Sequence, residues 1–440
     1  MKQKDATFVA PATPYGHSGI AVIRLNGPSA HQIIKTLSKN CKIQNRSPKL
    51  ISLYSSKNTT IDKCIITCYK KPNSYTGDDL IEISCHGNPS IVDMLLDNII
   101  QQGARLAEPG EFTKRAFING KLDLLQAEAV GSLIRAQSKI AAKIHQNTLV
   151  GNLSKRIKEI SEQLIAQLSA IEHAIDISED ELKSDFFIQH KDELIALRNK
   201  LDTLLSTFNA GRLINDGIRV VIAGKPNVGK STLLNHLSGY DKAIVSDIPG
   251  TTRDAIETTM IIDGIPFKYI DTAGIHSTED KIEKIGIQKT NKELGSADLI
   301  LYINDDPKLN KLPEFKAPTI QVLNKIDLHK KIVNSNSIIH ISAKTGKNVD
   351  ILLKKIKQTM SIETISTDAT HLTSTRQYIA LSQANRAIER SFVLMEADSP
   401  NMELVAFELR TALDELDALM GKTSPDDILN NIFNNLCVGK

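Results

Sequence analysis

Apolar and polar residues alternate differently along the chain, and the spacing changes three times. Up to about residue 119, short apolar runs such as GIAVIRL, CIITCY and LIEIS have the length and β-branched content typical of strands. Stretches with helical spacing separate these runs. The pattern therefore predicts a compact α/β domain in the first part of the chain.

From Lys121 to about Gly211 the apolar residues recur at intervals of three and four, which places them on one face of a helix. A buried face of a helical bundle and the seam of a coiled-coil dimer would both produce this spacing. A coiled coil needs about three to four clean heptads, so we favour the bundle. The face consists of Leu153, Ile157, Ile160, Leu164, Leu168, Ile171 and Ile175.

Residues 218 to about 357 alternate apolar runs with helical stretches, which predicts a parallel, doubly wound sheet. Its expected strands are IRVVIAG, FKYID, LILYIND, TIQVLNK and IIHISAK. After about residue 371 the pattern is helical again, and Gly421 is the expected C-cap of one helix. Because helical blocks lie on both sides, we predict an α/β domain inserted into a helical one. The stripe on this later helix consists of Val405, Leu409, Leu413, Leu416 and Met420.

Composition narrows the class of protein only slightly. A length of 440 residues, 41% hydrophobic and 24% charged, fits a globular protein of several domains. The net charge of +3 is compatible with RNA contact and does not argue for it. No apolar run approaches the roughly 18 residues of a membrane span, and the N-terminal residues lack the apolar core of a signal peptide. We therefore expect a cytoplasmic protein.

The cysteines are few and odd in number, and their spacing forms no CxxC pair of a metal site. In a cytoplasmic protein we expect them to be reduced thiols. They are Cys41, Cys64, Cys68, Cys85 and Cys437.

The segment VVIAGKPNVGKSTLLNHL contains the phosphate-loop pattern GxxxxGKS, from Gly224 to Ser231. It directly follows a predicted strand and opens a predicted helix, as the motif requires. Its glycines let main-chain N–H groups approach phosphates, and the helix N-terminus adds positive potential. We expect Lys230 to meet the β- and γ-phosphates and the Ser231 hydroxyl to bind Mg²⁺.

Two motifs select guanine. NKID, residues 324–327, follows the strand TIQVL, and the Asp327 carboxylate can accept hydrogen bonds from guanine N1–H and the 2-amino group. Adenine lacks this donor pair, so the motif favours GTP over ATP. SAK, residues 342–344, follows IIHI and is expected to direct a main-chain amide toward guanine O6.

Two further motifs concern the γ-phosphate. DTAG, residues 271–274, follows FKYI, so Asp271 can hold Mg²⁺ through water and the Gly274 amide can sense the γ-phosphate. SDIPGTTRD carries threonine hydroxyls for a switch that closes on Mg²⁺ and phosphate. The residues expected to bind GTP are Asn227, Val228, Gly229, Lys230, Ser231, Thr232, Ser246, Asp247, Ile248, Pro249, Gly250, Thr251, Thr252, Asp271, Thr272, Ala273, Gly274, Asn324, Lys325, Asp327, Ser342, Ala343 and Lys344.

Ile275 follows DTAG, where a Ras-type GTPase has a glutamine that orients the attacking water. An isoleucine side chain forms no hydrogen bonds, so another residue must position the water. The nearby acids are Glu279, Asp280 and Glu283. A solvated surface position would explain any one of them equally well.

The chain as a whole resembles the tRNA-modification GTPase family MnmE (also called TrmE). Beyond the GTPase motifs, the resemblance lies in ATPYGHSGIAVIRLNG, SYTGDDLIEISCHGNP, EPGEFTKRAFINGKLDLLQAEAV and the terminal CVGK. It covers nearly the full length and implies a multidomain α/β plus all-α fold. The implied domains are an N-terminal α/β folate-binding and dimerisation domain (1–119), a discontinuous helical domain (120–213 and 365–440) and an inserted Ras-like GTPase domain (214–364).

The resemblance also implies an activity. As a homodimer, and with an FAD protein of the MnmG (GidA) family in a hetero-oligomer, the chain would modify C5 of the wobble uridine (position 34) of certain tRNAs. The added group would be aminomethyl or carboxymethylaminomethyl. The one-carbon donor would be 5,10-methylene-tetrahydrofolate, and 5-formyl-tetrahydrofolate would bind as its analogue.

Family roles are carried over where the residues match. Ser231 and Thr252 would bind Mg²⁺, and Glu283 matches the glutamate that orients the attacking water. A K⁺ ion beside the phosphates would offset charge that develops there, where other GTPases use an arginine finger. Its matched ligands are Asn227, Ser246, Ile248 and Thr251.

Arg24, Glu82, Lys121 and Lys440 match positions of the family associated with folate binding. Each of them taken alone would more often be an ordinary surface residue, since charged side chains are mostly exposed. Departures from the family pattern are mild and remove no named ligand. They are GHSGIAVIR in place of a glycine-rich, arginine-bearing stretch, Pro249 in place of a small residue, and Val438 in place of isoleucine.

The CVGK ending fits a prenylation signal poorly because of its glycine and final lysine. Upstream, we expect Ser424 to be an N-cap and Pro425 to be the first residue of a helix. The apolar stripe of that helix would dock the tail; it consists of Ile428, Leu429, Ile432, Phe433 and Leu436. By resemblance, Cys437 would then lie near the folate and the target base, with its chemical role open, although an unreactive reduced thiol is also compatible.

Two other functions fit a GTPase domain. One is a GTP-switched RNA-binding or ribosome-assembly factor without modification chemistry, and the other is a helical scaffold that carries a GTPase. A basic RNA-binding appendage would favour the first, but the C-terminal block ELRTALDELDALM is acidic and helical. The folate-type N-terminal stretch argues against the scaffold.

Overall fold

The structure is a computed structural model. Close contacts divide the chain into two compact units, which are described separately. The first contains Met1–Arg135, His145–Leu201 and Ile379–Lys440, and the second contains Ala136–Ile144 and Asp202–Tyr378. The residues described are 6–175, 186–239, 257–271, 292–307, 313–328, 338–361, 370–397, 400–423 and 425–440.

In its described part, the first unit contains a six-stranded sheet with the order β3-β4-β5-β2-β1-β6. Neighbouring strands are antiparallel, except that β1 and β6 are parallel. The pattern of the first 119 residues thus gives the predicted α/β fold. The strands are β1 (Phe8–Pro11), β2 (Ser18–Asn26), β3 (Lys49–Tyr54), β4 (Thr60–Tyr69), β5 (Leu80–Gly87) and β6 (Arg105–Leu106).

The two faces of this sheet differ because side chains alternate along a strand. On β5, Ile81 and Ile83 are fully buried in the core, whereas Glu82 and Ser84 point to the other face and are partly exposed. The core also contains apolar residues of the first two helices, such as Ile34 and Leu95. These early helices are α1 (Ala30–Leu37), α2 (Pro89–Gln101) and α3 (Glu111–Ile118).

Long helices form the rest of the first unit. The predicted stripe on α6 is buried from Leu153 to Ile171, which confirms a bundle face within one chain, and only its last member, Ile175, is exposed. Gly421 caps the helix before it in the left-handed conformation, as predicted. The helices wholly within this unit are α4 (Leu124–Arg135), α6 (Asn152–Ile175), α12 (Met402–Met420) and α13 (Asp426–Asn434), whereas α5 (Lys139–Leu149), α7 (Phe186–Ser206) and α11 (Thr375–Met395) are divided between the two units.

The described part of the second unit contains a sheet with the order β12-β11-β10-β7-β9-β8. Five strands are parallel, as their long apolar runs predicted. The strands are β7 (Ile218–Ala223), β8 (Glu257–Ile262), β9 (Ile265–Asp271), β10 (Leu299–Asn304), β11 (Thr319–Leu323) and β12 (Ile338–His340). The helices are α8 (Phe208–Asp216), α9 (Lys230–Ser238) and α10 (Val349–Thr359).

The prediction of a wholly parallel sheet is wrong at one edge. Strand β8 was not predicted, and it pairs with β9 in the antiparallel direction. The two strands are joined by Asp263 and Gly264, both with positive φ, and a two-residue turn of this kind forces an antiparallel hairpin.

The parallel strands determine where function can lie. The carboxyl ends of β7, β9, β10 and β11 share one edge of the sheet, so the loops that follow them gather there. Within the described ranges, no helix combines the length and the apolar character needed to cross a membrane. The three predicted domain boundaries stay a prediction.

Candidate functional sites

The phosphate loop joins β7 to α9, and Gly229 is the N-cap of α9. Gly229 has a φ of +95°, and an added Cβ would overlap the Asn324 side-chain nitrogen. Lys230 is buried, and its ammonium donates to the carbonyls of Gly224 at 2.8 Å and Lys225 at 2.9 Å. A fixed cation thus lies beside a helix N-terminus, which is an arrangement suited to phosphate.

A buried amide joins the phosphate loop to the guanine-recognition loops. The Asn324 side chain donates from Nδ2 to the Val228 carbonyl at 2.8 Å and accepts from the Ala343 N–H at 2.8 Å. Ser342 is fully buried beside it, whereas Asp327, in a short 3-10 helix (Ile326–Leu328), is exposed. The structure therefore brings GKS, NKID and SAK together and leaves the Asp327 carboxylate at the surface.

An acid that the sequence motifs do not contain also reaches this site. The Lys325 ammonium donates to the Asn227 carbonyl at 2.7 Å and to the Asp305 carboxylate at 2.7 Å. Asp305 follows the end of β10, at the sheet edge where the other loops meet. Its position after a strand was the available signal, although acids at such positions are too common to identify one.

The other residues predicted to bind the nucleotide are only partly within the described ranges. Ser231, Thr232 and Lys344 are exposed in the described part. Of Asp271, only the backbone at the end of β9 is described. The remaining predicted residues, 246–252, 272–274 and Glu283, lie outside the described residues, together with Ile275 and the neighbouring acids. Their roles stay predictions.

The first unit contains a second cluster of predicted residues. Arg24 on β2 and Glu82 on β5 are cross-strand neighbours, and Arg24 Nε lies 3.0 Å from Glu82 Oε1. The Arg24 guanidinium lies 5.5 Å from the centre of the Tyr75 ring, and the Tyr75 hydroxyl hydrogen-bonds Thr113 at 2.9 Å. The arginine is therefore held both by charge and by an aromatic face.

Tyr69 completes the surroundings of Glu82. Burial raises the pKa of the Tyr69 hydroxyl, and the Glu82 carboxylate that accepts its hydrogen bond raises it further. Tyr69 and Tyr75 were both missed by sequence reasoning. A tyrosine at the end of a strand or in a loop gives no specific signal; Tyr69 ends β4 and Tyr75 lies in the loop before β5, so only the folded chain brings them to the charged pair.

The C-terminal tail is docked in this unit. Phe433 and Leu436 on and after α13 are buried against Leu124 and Ala127 of α4. Leu429 and Ile432 also pack there, which confirms the docking role predicted for these four residues of the stripe, whereas Ile428 is exposed.

The predicted start of this helix is wrong by one residue. Pro425 is the N-cap and not the first helical residue, because its ψ of 148° is extended. Ser424, the predicted N-cap, lies outside the described residues.

Main-chain contacts continue beyond the helix. The Arg135 guanidinium donates to the Asn435 carbonyl at 2.9 Å, and the Gly110 N–H donates to the Cys437 carbonyl at 3.3 Å. Gly439 has a φ of +89°, and an added Cβ would overlap the Pro11 carbonyl. The tail thus follows a fixed path, with the Cys437 side chain exposed.

Docking brings Lys440 to the charged pair. The Arg24 guanidinium reaches the Gly439 carbonyl at 3.4 Å. Burial and the Arg24 charge lower the pKa of Lys440, although Cys437 and Glu82 oppose this. Three of the four predicted folate residues are therefore together. Lys121 lies against the Gly77 turn before β5, and no contact of Lys121 with the other three is seen in the described part of the chain.

The other cysteines differ from Cys437. Cys64, Cys68 and Cys85 are buried, and burial raises the pKa of both Cys68 and Cys85 to about 11. All five cysteines fall in the described ranges and are free thiols, as predicted. Those ranges also contain no group of His, Cys, Asp and Glu side chains that could hold a metal ion.

Comparison with known proteins matches both ends of the chain to family models. Residues 7–121 match the model of the GTP-binding protein TrmE N-terminus, and residues 124–437 match that of the MnmE helical domain. A tRNA modification GTPase MnmE from Clostridioides difficile (strain 630) is 39% identical over 459 residues, covering 99% of each chain. The same-named protein of Legionella pneumophila (strain Corby) is 39% identical over 447 residues, again covering 99% of each.

A solved structure of Era from Aquifex aeolicus is 28% identical over 41% of this chain and 69% of its own. Its TM-score of 0.26 is too low to carry an argument.

A phosphate loop tied to guanine-recognition loops, on a chain with a TrmE-type N-terminal part and a helical part, defines a multidomain P-loop GTPase. The matches extend over nearly the full length of the chain and of its relatives. The chain belongs to the MnmE family of tRNA modification GTPases. The predicted resemblance and fold class are confirmed.

Replacing Gly439 with alanine tests the docked tail. In Gly439→Ala, the positive φ and the overlap with Pro11 should displace Lys440 and expose the Cys437 main chain. We expect amide hydrogen exchange at residues 437–440 to accelerate by about tenfold or more, since a displaced chain end loses its protection. Exchange in the second unit should not change.

Val438→Ala is the matched control, because the Val438 side chain is exposed and this variant leaves Gly439 unchanged. It should exchange as the unaltered protein does. Equal exchange in Gly439→Ala and the unaltered protein would contradict the docking.

Proposed function

We propose that this chain is a K⁺-stimulated GTPase that modifies the wobble uridine of certain tRNAs together with an MnmG-type flavoprotein. The added group is aminomethyl or carboxymethylaminomethyl at C5, and 5,10-methylene-tetrahydrofolate is the one-carbon donor. One observation carries the proposal. The docked tail carries the exposed Cys437 thiol near Lys440 and brings the Gly439 carbonyl to Arg24, on a chain whose family is named for tRNA modification and GTP hydrolysis.

The charged cluster fits a folate. Glu82 can accept hydrogen bonds from the N–H donors of a pterin, and the Arg24 and Lys440 cations suit carbonyls or the glutamate carboxylates. Two cations beside one carboxylate leave a positive excess, and burial with Arg24 lowers the pKa of Lys440. An anionic ligand would relieve this repulsion. When bound, the folate supplies the one-carbon unit, while these residues bind and orient it.

The nucleotide site fits GTP with Mg²⁺. Lys230 and the start of α9 supply positive charge for the phosphates, and Asp327 supplies the exposed carboxylate for guanine. We assign Ser231 and Thr252 to Mg²⁺ and Glu283 to the orientation of water. Asn227 fits a K⁺ ligand in one respect: it lies exposed in the phosphate loop, and its side chain carries an amide oxygen.

The exposed part of the sheet face that carries Glu82 supports the homodimer. Leu50, Ile65, Ser84 and Val22 form one row across four strands on that face, and the Leu50 and Ile65 side chains are exposed. Arg24 and Glu82 lie in a neighbouring row of the same face. A second copy on this surface would cover the apolar row and enclose the charged pair. A monomeric mass in solution would contradict this assignment.

No observation favours an RNA-binding or ribosome-assembly factor without modification chemistry, or a scaffold. Neither needs an exposed thiol on a tail fixed beside a charged pair. The free thiols also agree with the cytoplasmic location that we propose.

Exchange of the monovalent cation tests the GTPase assignments. GTP turnover measured in KCl should exceed turnover in NaCl by about tenfold or more, since a cation fitted to the phosphates stabilises the charge that develops there.

Glu283→Ala should lose turnover in both salts and retain GTP affinity, because water orientation contributes to hydrolysis and not to binding.

Glu314→Ala, an exposed acid in the same unit, is the control and should match the unaltered protein. Equal turnover in the two salts would remove the K⁺ assignment. Undiminished turnover in Glu283→Ala would remove that of Glu283.

Mass spectrometry of wobble uridines tests the proposed modification. In cells that lack this protein, the tRNAs that it serves should lose the C5 substituent, and expression of the intact chain should restore it. Modified uridines at unchanged abundance in the deletion strain would refute the proposal. The ratio of unrelated modified nucleosides is the internal control.

A further inference from the structure

One ammonium group in the second unit joins three loops. Lys325 belongs to NKID, and its Nζ donates to the Asn227 carbonyl in the phosphate loop at 2.7 Å. The same Nζ lies 2.7 Å from Oδ2 of Asp305, in the loop after β10. The Lys325 ammonium thus connects the guanine-recognition loop to the phosphate loop. Its other hydrogen-bond acceptor, Asp305, lies outside every GTPase motif.

The backbone at both ends of this contact needs support. Asn227 has a φ of +63° and Lys325 a φ of +62°, in the left-handed region that residues with a Cβ disfavour. Such conformations persist only where surrounding contacts enforce them. The hydrogen bond from the Lys325 ammonium to the Asn227 carbonyl is one such contact, and its charge makes it stronger than a neutral hydrogen bond.

The Asp305 carboxylate helps to fix the position of the Lys325 ammonium. An ammonium on a four-carbon stem is flexible, so a single carbonyl acceptor orients it weakly. Asp305 provides a second, charged acceptor for the same ammonium. About a third of each side chain is exposed, Lys325 at 34% and Asp305 at 35%, so solvent screening leaves the ion pair a small role in fold stability.

We propose that Asp305 is a positioning residue for guanine nucleotides. It acts through Lys325, which holds the left-handed turn of the phosphate loop at Asn227. The inference rests on the proposed nucleotide site and adds a residue and a route of action to it. Because the turn precedes the residues that surround the phosphates, both GDP and GTP should depend on Asp305.

A double-mutant cycle on the full-length chain tests this route. Equilibrium affinity for fluorescent GDP and a fluorescent non-hydrolysable GTP analogue is measured for the unaltered protein, Asp305→Asn, Lys325→Ala and the double variant. Asp305→Asn should weaken binding by about three- to tenfold, the scale of one charged contact. In the Lys325→Ala background the same change should have almost no effect, since the proposed route runs through the ammonium.

Two further variants separate positioning from folding. Asp305→Glu keeps the charge and should recover most of the affinity that Asp305→Asn loses. Glu314→Gln removes an exposed acid of the same unit and should bind as the unaltered protein does. Thermal unfolding without nucleotide should be the same for all single acid variants.

An equal loss of affinity in both backgrounds would show that Asp305 acts by another route and would overturn the inference. Unchanged affinity in Asp305→Asn would do the same. Failure of the unaltered protein to bind guanine nucleotides is a different outcome, because it would refute the nucleotide site itself.

Discussion

The packing of Phe433 and Leu436 against the start of α4 is the contact on which the candidate modification site depends. These apolar side chains are almost completely buried, and each such burial stabilises by roughly 1.5–3 kcal/mol. The tail after them is too short to fold alone. Its path is fixed by hydrogen bonds to main-chain groups and by Gly439, so that the Gly439 carbonyl reaches the Arg24 guanidinium on β2 and the Lys440 charge lies near it.

The two candidate sites use different devices to fix charged groups. In the nucleotide site, the buried Asn324 amide hydrogen-bonds uncharged main-chain groups of two loops, the Val228 carbonyl in the phosphate loop and the Ala343 N–H in SAK. The Asp327 carboxylate nearby is exposed. In the first unit the charges face one another, and the Tyr75 ring and the Tyr69 hydroxyl hold Arg24 and Glu82 in place. Each unit thus builds its site from its own residues.

Local patterns made much of this predictable. The phosphate loop follows from glycine spacing after a strand, and the docked helix follows from a stripe ending at Leu436. Pairings between distant residues were not predictable from spacing. Arg135 and Asn435 are 300 positions apart, and Arg24 and Glu82 meet only through strand register. The edge strand β8 and Asp305 were missed because a short strand and a single acid resemble many others in a sequence.

The central claim is that Cys437 belongs to the modification site and not to the GTPase. The most direct measurement compares wobble-uridine modification with GTP turnover in Cys437→Ser, which keeps the size of the side chain and removes the thiol. Cells carrying only Cys437→Ser should lack the C5 substituent on the affected tRNAs, while the purified variant should hydrolyse GTP at the rate of the unaltered protein. Normal modification in those cells, or loss of both activities together, would contradict the claim.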